Sequence, residues 1–404
     1  MPGVRAARAA RMQTLVLTGR GRRWAESGHP WIYANDIASG QAQAGELAAF
    51  AAPDGRVLGH ALYSAQSRIA LRSVARGTAA PPADWLERRV AQAVGERARQ
   101  GLLDPAGAER LLAGDADLVP GLIADRYADI LVLQSGTLGA DKLRERAIEA
   151  FATALPFPLR AVLDRSDAPA RRLEGLEPRV EWLRGTPCEP VTVREDGLGY
   201  LVDVLGGHKT GHYLDQRENR RLAAAGARGE RVLDVCCYDG LFGLHALRAG
   251  AREAVFVDQN QRALDRARDN AERNGLLERC RFVRADAAQE LRRLAEAGER
   301  FGVVVVDPPA FAKRKEEVEG ALRGYRELNR RAFSICTEGG LVVSASCSYN
   351  VQLPQFLDVL RAAAVDSGRR VVLEQVRGAA SDHTVLLALP ESWYLKCVFL
   401  RVHA

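Results

Sequence analysis

The segment Arg231-Val232-Leu233-Asp234-Val235-Cys236-Cys237-Tyr238-Asp239-Gly240-Leu241-Phe242, running on to Gly250, decides the fold. Val232 to Val235 reads as a buried strand, Cys236 to Leu241 as a turn, and Phe242 to Ala249 as a helix. A second strand, Ala254 to Val257, ends in Asp258, 24 residues after Asp234. A dinucleotide-type α/β fold places an acid at about this spacing to accept from ribose hydroxyls, and its ligands bind beyond the carboxyl ends of the strands.

The same grammar continues toward the C-terminus. Phe282-Val283 leads to Asp286, and Val303 to Val306 leads to Asp307-Pro308-Pro309-Ala310-Phe311. After Gly339-Gly340, Leu341-Val342-Val343 delivers Ser346-Cys347-Ser348 to the same edge. One Asp at a strand end is an ordinary turn former. Asp234, Asp258, Asp286 and Asp307 together make a ligand-binding edge. The first turn is not GxGxxG, because Gly240 alone remains of the glycines, so a pyrophosphate would be poorly cradled. S-adenosylmethionine (SAM), a nucleoside without phosphates, needs less from that loop. A free Cys is usually a small buried residue, but Cys347 between two serines at this edge is the best nucleophile in the chain. Cys236 and Cys237 lie in the cofactor turn and read as packing residues. Leu353 to Ala364 reads as a helix, and Val371–Leu373, Val385–Leu389 and Cys397–Val402 as closing strands.

Residues 12–79 are short strands and turns, Leu15–Leu17, Glu46–Phe50, Arg56–Tyr63 and Ile69–Arg72, which suggest a small β-barrel. Within it Gly28-His29-Pro30-Trp31-Ile32-Tyr33 joins aromatics to the nearby Arg22 and Arg23. Trp31 and Tyr33 suit stacking on RNA or the core of the barrel, and both readings stand. Pro81-Pro82 opens residues 80–196, an α+β segment. It holds helices at Trp85–Gly101 and Lys142–Ala154 and strands at Leu118–Ile123, Ile130–Leu133 and Ala161–Leu163, with Asp125 and Arg126 as a solvated turn pair. Residues 197–404 carry the strand-end acids. Ahead of them Gly206-Gly207, Lys209 and Arg217 at a helix start could receive an anion, or residues 215–220 could be a solvated helix face.

Composition narrows the partners. The 404 residues are 47% hydrophobic, enough for two or three cores, and no apolar run is long enough to span a membrane. A net charge of +6 favours a polyanion. The first residues hold Arg5, Arg8, Arg11, Arg20, Arg22 and Arg23 without an apolar h-region, which argues against secretion. Seven Cys without a CxxC pair and seven unclustered His imply free thiols, a reducing cytoplasm and no metal.

These residues resemble a class I SAM-dependent methyltransferase, specifically the bacterial family that methylates carbon 5 of a cytosine in large-subunit (23S) ribosomal RNA. The likeness runs from Gly28-His29-Pro30-Trp31 through Val119-Pro120-Gly121-Leu122-Ile123, Lys209-Thr210-Gly211 and Asp215-Gln216-Arg217 to Tyr394-Leu395-Lys396. It implies an N-terminal PUA domain, a central α+β domain and a Rossmann-like catalytic domain. It further implies that Tyr238, Gly240, Asp258, Asp286, Gln216 and Arg217 serve the cofactor, and that Cys347 is the nucleophile with Asp307 on the base. Trp31, Arg22, Arg23, Lys209 and Phe311 are the candidates to meet an unpaired or splayed RNA cytosine. A second copy of the chain, as a homodimer, is a further candidate partner. The chain departs from the family at Asp239, where Thr is usual, at Leu241, where Gly is usual, and at Ala310, where Lys is usual. An N-methyltransferase acting on a purine and a non-catalytic RNA-binding adaptor remain as alternatives.

Overall fold

The computed structural model describes residues 12–187 and 190–404. Arg5, Arg8, Arg11 and Cys188 lie outside the described residues. The first sheet is built from β1 (Thr14–Leu17), β2 (Trp31–Tyr33), β3 (Ile37–Ser39), β4 (Leu47–Ala51), β5 (Val57–Tyr63) and β6 (Ile69–Arg76), in the order β2-β6-β5-β4-β1-β3. Leu15, Leu17, Ile32, Phe50 and Leu71 fill its interior. The Arg-rich run after β1 forms a short helix, α1 (Gly19–Glu26), started by the Thr18 side chain accepting from the Gly21 N–H.

α2 (Trp85–Arg99) and α3 (Leu138–Ala154) pack on one face of a second sheet. Its strands are β7 (Ala108–Ala113), β8 (Leu122–Tyr127), β9 (Ile130–Ser135), β10 (Ala161–Ser166) and β11 (Arg179–Gly185), in the order β11-β10-β9-β8-β7. The strand expected at Leu118–Ile123 starts only at Leu122, because Leu118 (φ 58°) and Gly121 (φ 75°) put the backbone in a left-handed turn. Asp125 and Arg126 are not a solvated pair. Both are buried in β8, where Arg110 clamps Asp125 through two bonds of 2.7 and 2.8 Å and Arg126 reaches Glu109 at 2.5 Å. Charges so deep require partners of this quality, and sequence distance hid the partners.

A hairpin of β12 (Val191–Glu195) and β13 (Leu198–Val202) follows, turning at Asp196 and Gly197. Its apolar face joins the side of the second sheet opposite α2 and α3 to the third sheet, so Tyr127, Ile130, Val193, Tyr200, Val232 and Phe256 belong to one continuous core.

The third sheet is organised by the segment that opens at Arg231. After α4 (Arg217–Ala225) come β14 (Arg231–Val235), α5 (Leu241–Arg248), β15 (Glu253–Asp258), α6 (Gln261–Arg273), β16 (Cys280–Arg284), α7 (Ala287–Glu296) and β17 (Phe301–Val306). Then follow α8 (Val318–Ile335), β18 (Cys336–Ser346), α9 (Leu353–Ser367), β19 (Arg370–Arg377) and β20 (Lys396–His403). The order is β16-β15-β14-β17-β18-β20-β19, parallel as far as β18 and antiparallel beyond. Unbroken apolar strands are what a sheet covered on both faces requires. Val303 and Val305 accordingly face one layer of helices, and Val304 and Val306 the other. The closing strand expected at Val385–Leu389 does not form. Those residues are irregular, with Leu387 95% exposed, and β19 supplies the edge instead. Reversal between β14 and β17 opens a crevice at the carboxyl edge, where an open α/β sheet receives its ligand.

Candidate active site

That edge holds a cavity of about 530 Å³, and sheet order fixes the sequence of groups along it. At the end of β16, Asp286 caps α7, its Oδ1 accepting from the N–H groups of Ala288 (3.0 Å) and Gln289 (3.1 Å). At the end of β15, Asp258 accepts from the Tyr238 N–H (3.0 Å) and the Asn260 N–H (2.8 Å). Each carboxylate is thus fixed by backbone donors and keeps acceptor capacity for ligand hydroxyls or amines.

The turn after β14 is strained. Cys236 (φ 62°), Tyr238 (φ 51°) and Gly240 (φ 81°) alternate through the left-handed region, two of them without the freedom of glycine. The distortion lets the Cys236 and Cys237 N–H groups reach the Val257 carbonyl and aims the Tyr238 N–H at Asp258. Gly240 is required twice, since a Cβ there would also sit 3.0 Å from Ala267 Cβ and 3.1 Å from the Phe256 ring. Buried Asp234 accepts at 2.9 Å from the Gly243 N–H, and its other oxygen has no partner among the described residues. Burial pushes this carboxyl up to about 7, with Asp307, Asp239 and Asp258 adding to the effect against the Gly243 hydrogen bond.

A carboxyl raised in the folded state stabilises when protonated. The contribution is complete below the unfolded value of about 4 and is lost as pH rises through about 7. Asp234→Asn is therefore expected to raise the melting temperature of the ligand-free protein at pH 8 by several degrees and to leave it nearly unchanged at pH 4. Thermal melts at the two pH values measure the difference.

Beyond the crevice stand the groups of β17 and β18. Asp307 accepts from Gln216 Nε2 at 3.0 Å. Burial and the Asp215 carboxylate push its carboxyl up to about 7, against the Gln216 hydrogen bond. Cys347 is half-buried, and burial followed by Asp307 raises its thiol to about 11, while Lys209 pulls the other way. The Cys236 thiol is pushed higher still by burial and four surrounding acids, and the Cys237 thiol is well above the ordinary value. Of the three thiols at this cavity, Cys347 ionises most readily. Lys209 Nζ lies 2.6 Å from Asp215 Oδ2, which also accepts from the Tyr394 hydroxyl at 2.5 Å. Burial raises the Asp215 carboxyl, but the Lys209 charge prevails and holds it well below the usual range.

The loops carrying Asp307 and Cys347 are tied together. Ser346 Oγ donates to the Tyr325 hydroxyl (3.0 Å), which lies 3.1 Å from Ser348 Oγ, and the Ala312 N–H donates to that same Oγ at 3.2 Å. Beneath them Lys396 Nζ donates to the Ser348 carbonyl at 2.7 Å. Phe311 lines the cavity and packs 4.8 Å from the Tyr325 ring.

Tyr238, Asp258, Asp286, Gln216, Asp307, Lys209, Phe311 and Cys347 therefore share one cavity, with Gly240 in the turn beside it. Arg217 does not. It points away, donating to the Ala108 carbonyl and to Asp382 at 3.0 Å each, so it joins α4 to the second sheet. As the first residue of α4 it reads as a ligand donor, and only the packing of β7 behind it shows otherwise. Gln216 reaches the cavity but holds Asp307. Trp31 also serves a join, its indole N–H donating to Asp115 at 2.7 Å beneath the Arg72 guanidinium. The exposed aromatic nearby is Trp24, which with Tyr33, Arg20 and Arg68 lines a separate cleft on the first sheet. The sequence signal for it is the run Arg20-Gly21-Arg22-Arg23-Trp24. On α1, Arg23 is exposed and Arg22 half-buried, 3.7 Å from Glu26. Among the described residues no group of three or more His, Cys, Asp or Glu is placed to hold a metal ion.

Comparison with known proteins matches this architecture. Residues 146–377 fit the family model of S-adenosylmethionine-dependent methyltransferases, and residues 15–76 that of the PUA-like domain. A protein of Shewanella denitrificans named ribosomal RNA large subunit methyltransferase I is 40% identical over 385 residues, 93% of this chain and 96% of the relative. Its namesake in Aeromonas hydrophila is also 40% identical, over 92% of this chain and 95% of that one. A crystal structure of a putative SAM-dependent methyltransferase from Streptococcus mutans superposes with a TM-score of 0.81 at 20% identity, covering 96% of this chain and all of that one. The site fits the cofactor: acceptors at Asp258 and Asp286 suit a ribose and an adenine amine, and the single glycine suffices because no phosphate needs cradling. With its N-terminal PUA-like domain and its SAM-dependent catalytic domain, this chain belongs to the ribosomal RNA large subunit methyltransferase I family of SAM-dependent methyltransferases.

Proposed function

We propose that the chain transfers a methyl group from SAM to carbon 5 of a cytosine in 23S ribosomal RNA through a covalent adduct with Cys347. The observation that carries this is the presence of the most readily ionised thiol and a carboxyl poised near neutrality in the cavity that also holds Asp258 and Asp286. The relatives' shared name, ribosomal RNA large subunit methyltransferase I, supports the substrate class.

Bound SAM supplies an electrophilic methyl group. Carbon 5 of cytosine is too weak a nucleophile to accept it unaided. Addition of the Cys347 thiolate at carbon 6 makes carbon 5 enamine-like, and the protonated Asp307 carboxyl donates to N3, where negative charge develops. Once carbon 5 carries the methyl group, its proton passes to solvent, and the ring double bond is restored as the carbon–sulfur bond breaks and the thiolate leaves. N3 returns its proton to the Asp307 carboxylate. Gln216 orients Asp307 and the Tyr325–Ser348 link sets its loop against the thiol loop, so neither group needs rearrangement during addition. Half-buried Cys347 is reachable only by an extruded base, which favours a loop or splayed strand over intact helix.

The reading is tested by methylating ribosomal RNA with labelled SAM and digesting the product to nucleosides. Label in 5-methylcytidine is expected. Label on a purine amine would replace this proposal with an N-methyltransferase, and absence of transfer with SAM bound would replace it with an adaptor.

The first sheet provides the approach for RNA. Arg23 and Trp24 are exposed on α1 beside the Trp24–Tyr33 cleft, and Tyr349, two residues beyond Cys347, is also exposed. Aromatics flanked by guanidinium groups suit an unpaired strand. The double variant Arg22→Ala, Arg23→Ala is expected to weaken RNA binding several-fold at 0.15 M salt and to lower the slope of log K against log salt by about 1 to 2. Filter binding across a salt series measures both.

A further inference from the structure

The rod-like cofactor must lie across the sheet edge in a fixed direction. Its nucleoside belongs to Asp286 and Asp258 at β16 and β15, while Cys347 on β18 marks where the methyl group is consumed. The amino-acid arm therefore lies over the turn after β14, and a side chain presented to the cavity there is Asp239. Asp239 is 4% exposed and lines the cavity, yet no hydrogen bond reaches its carboxylate from the described residues. Its one close neighbour of opposite character is His212, 2% exposed, with Nδ1 at 2.8 Å from Asp239 Oδ2. That contact is poorly aligned for a hydrogen bond, and neither His212 nitrogen has a bonded partner.

Cations at the same cavity are already committed, Lys209 to Asp215 and Arg220 to Glu195. A buried carboxylate that faces the cavity keeps acceptor capacity for a donor that a ligand brings. The backbone behind it is rigid, because Asn270, itself buried, donates to the Asp239 carbonyl at 3.2 Å and accepts from the Leu201 N–H at 3.0 Å. We propose that Asp239, seated against His212, accepts the α-ammonium group at the amino-acid end of SAM. In this chain a side-chain carboxylate takes that end of the ligand, in a turn where buried Leu241 also lines the cavity. The proposal rests on the cofactor reading and on delivery of the methyl group toward Cys347, while its test reads ligand binding alone.

Calorimetry on the full chain tests it with two probes, S-adenosylhomocysteine (SAH), which keeps the amino-acid arm, and 5′-methylthioadenosine, which lacks it. Asp239→Asn is expected to weaken SAH roughly ten- to hundredfold, as loss of a charge-assisted hydrogen bond does, and to leave methylthioadenosine within twofold. Equal weakening of both probes, or of neither, would overturn the assignment. Should the variant fail to fold, the unaltered protein answers with an SAH analogue lacking the α-amino group: a tenfold or greater loss supports the assignment and parity overturns it. Failure of the unaltered protein to bind SAH at all would instead remove the cofactor reading, a distinguishable result.

Discussion

Replacing Cys347 with Ala is expected to abolish methyl transfer to RNA, a loss of at least about 10³-fold, since removal of a covalent nucleophile leaves only binding and electrostatic contributions. SAH affinity is expected to stay within about twofold, because the acids that receive the nucleoside stand at the ends of β15 and β16 while the thiol stands just past the end of β18. The substitution is mild for the fold. Cys347 is half-buried at a loop start, and the hydrogen bonds that fix its surroundings come from Ser346, Ser348 and Lys396. Single-turnover transfer from labelled SAM, with calorimetry for SAH, separates chemistry from binding. Transfer retained within tenfold would exclude the covalent route, whichever base carries the label. Cys236→Ala is the control. Cys236 also lines the cavity but its thiol is held further from ionisation by burial and four acids, so transfer should survive its loss.

The pH dependence of the reaction is expected to carry the second large signature. With Asp307 near 7 and Cys347 near 11, the prevailing state between these values is thiol plus carboxylate. The reactive state is thiolate plus carboxylic acid, which contains the same number of protons. Its population is therefore independent of pH across that interval, and kcat/KM should be level above about 7. Below about 7 the prevailing state holds one proton too many, and kcat/KM should fall about tenfold per pH unit. Asp307→Asn removes the acid. Its rate should drop by about 10² to 10⁴ at pH 8, and the level region should become a rise of about tenfold per unit, tracking thiolate alone. A profile from pH 6 to 9 on both proteins measures slope and level together. A variant that kept the level region would show that Asp307 is not the partner of the thiol.

Strand periodicity and the recurrence of an acid or thiol after each apolar run made the third sheet legible, since a strand buried on both faces must be continuously apolar whatever surrounds it. Asp258, Asp286, Asp307 and Cys347 follow directly, because the strand end that carries each of them is set by local chain geometry. What local signals could not carry were long-range pairings. Asp125 and Arg126 looked like a turn because their partners Arg110 and Glu109 lie on a neighbouring strand. Arg217 looked like a ligand donor because Asp382, its partner, is 165 residues away.

The sequence by itself therefore determined which groups stand at the sheet edge, and the reason is that a strand's direction and its following turn are written in adjacent residues. Only the tertiary structure decided how those groups are charged and tied. Burial lifts Asp307 toward neutrality, the Tyr325–Ser348–Ala312 bonds lock the thiol loop to the Asp-Pro-Pro loop, and Asp239 faces the cavity with His212 Nδ1 at 2.8 Å from its carboxylate. Desolvation and hydrogen-bond pairing depend on what packs from distant parts of the chain, and that packing exists only once the three sheets have come together.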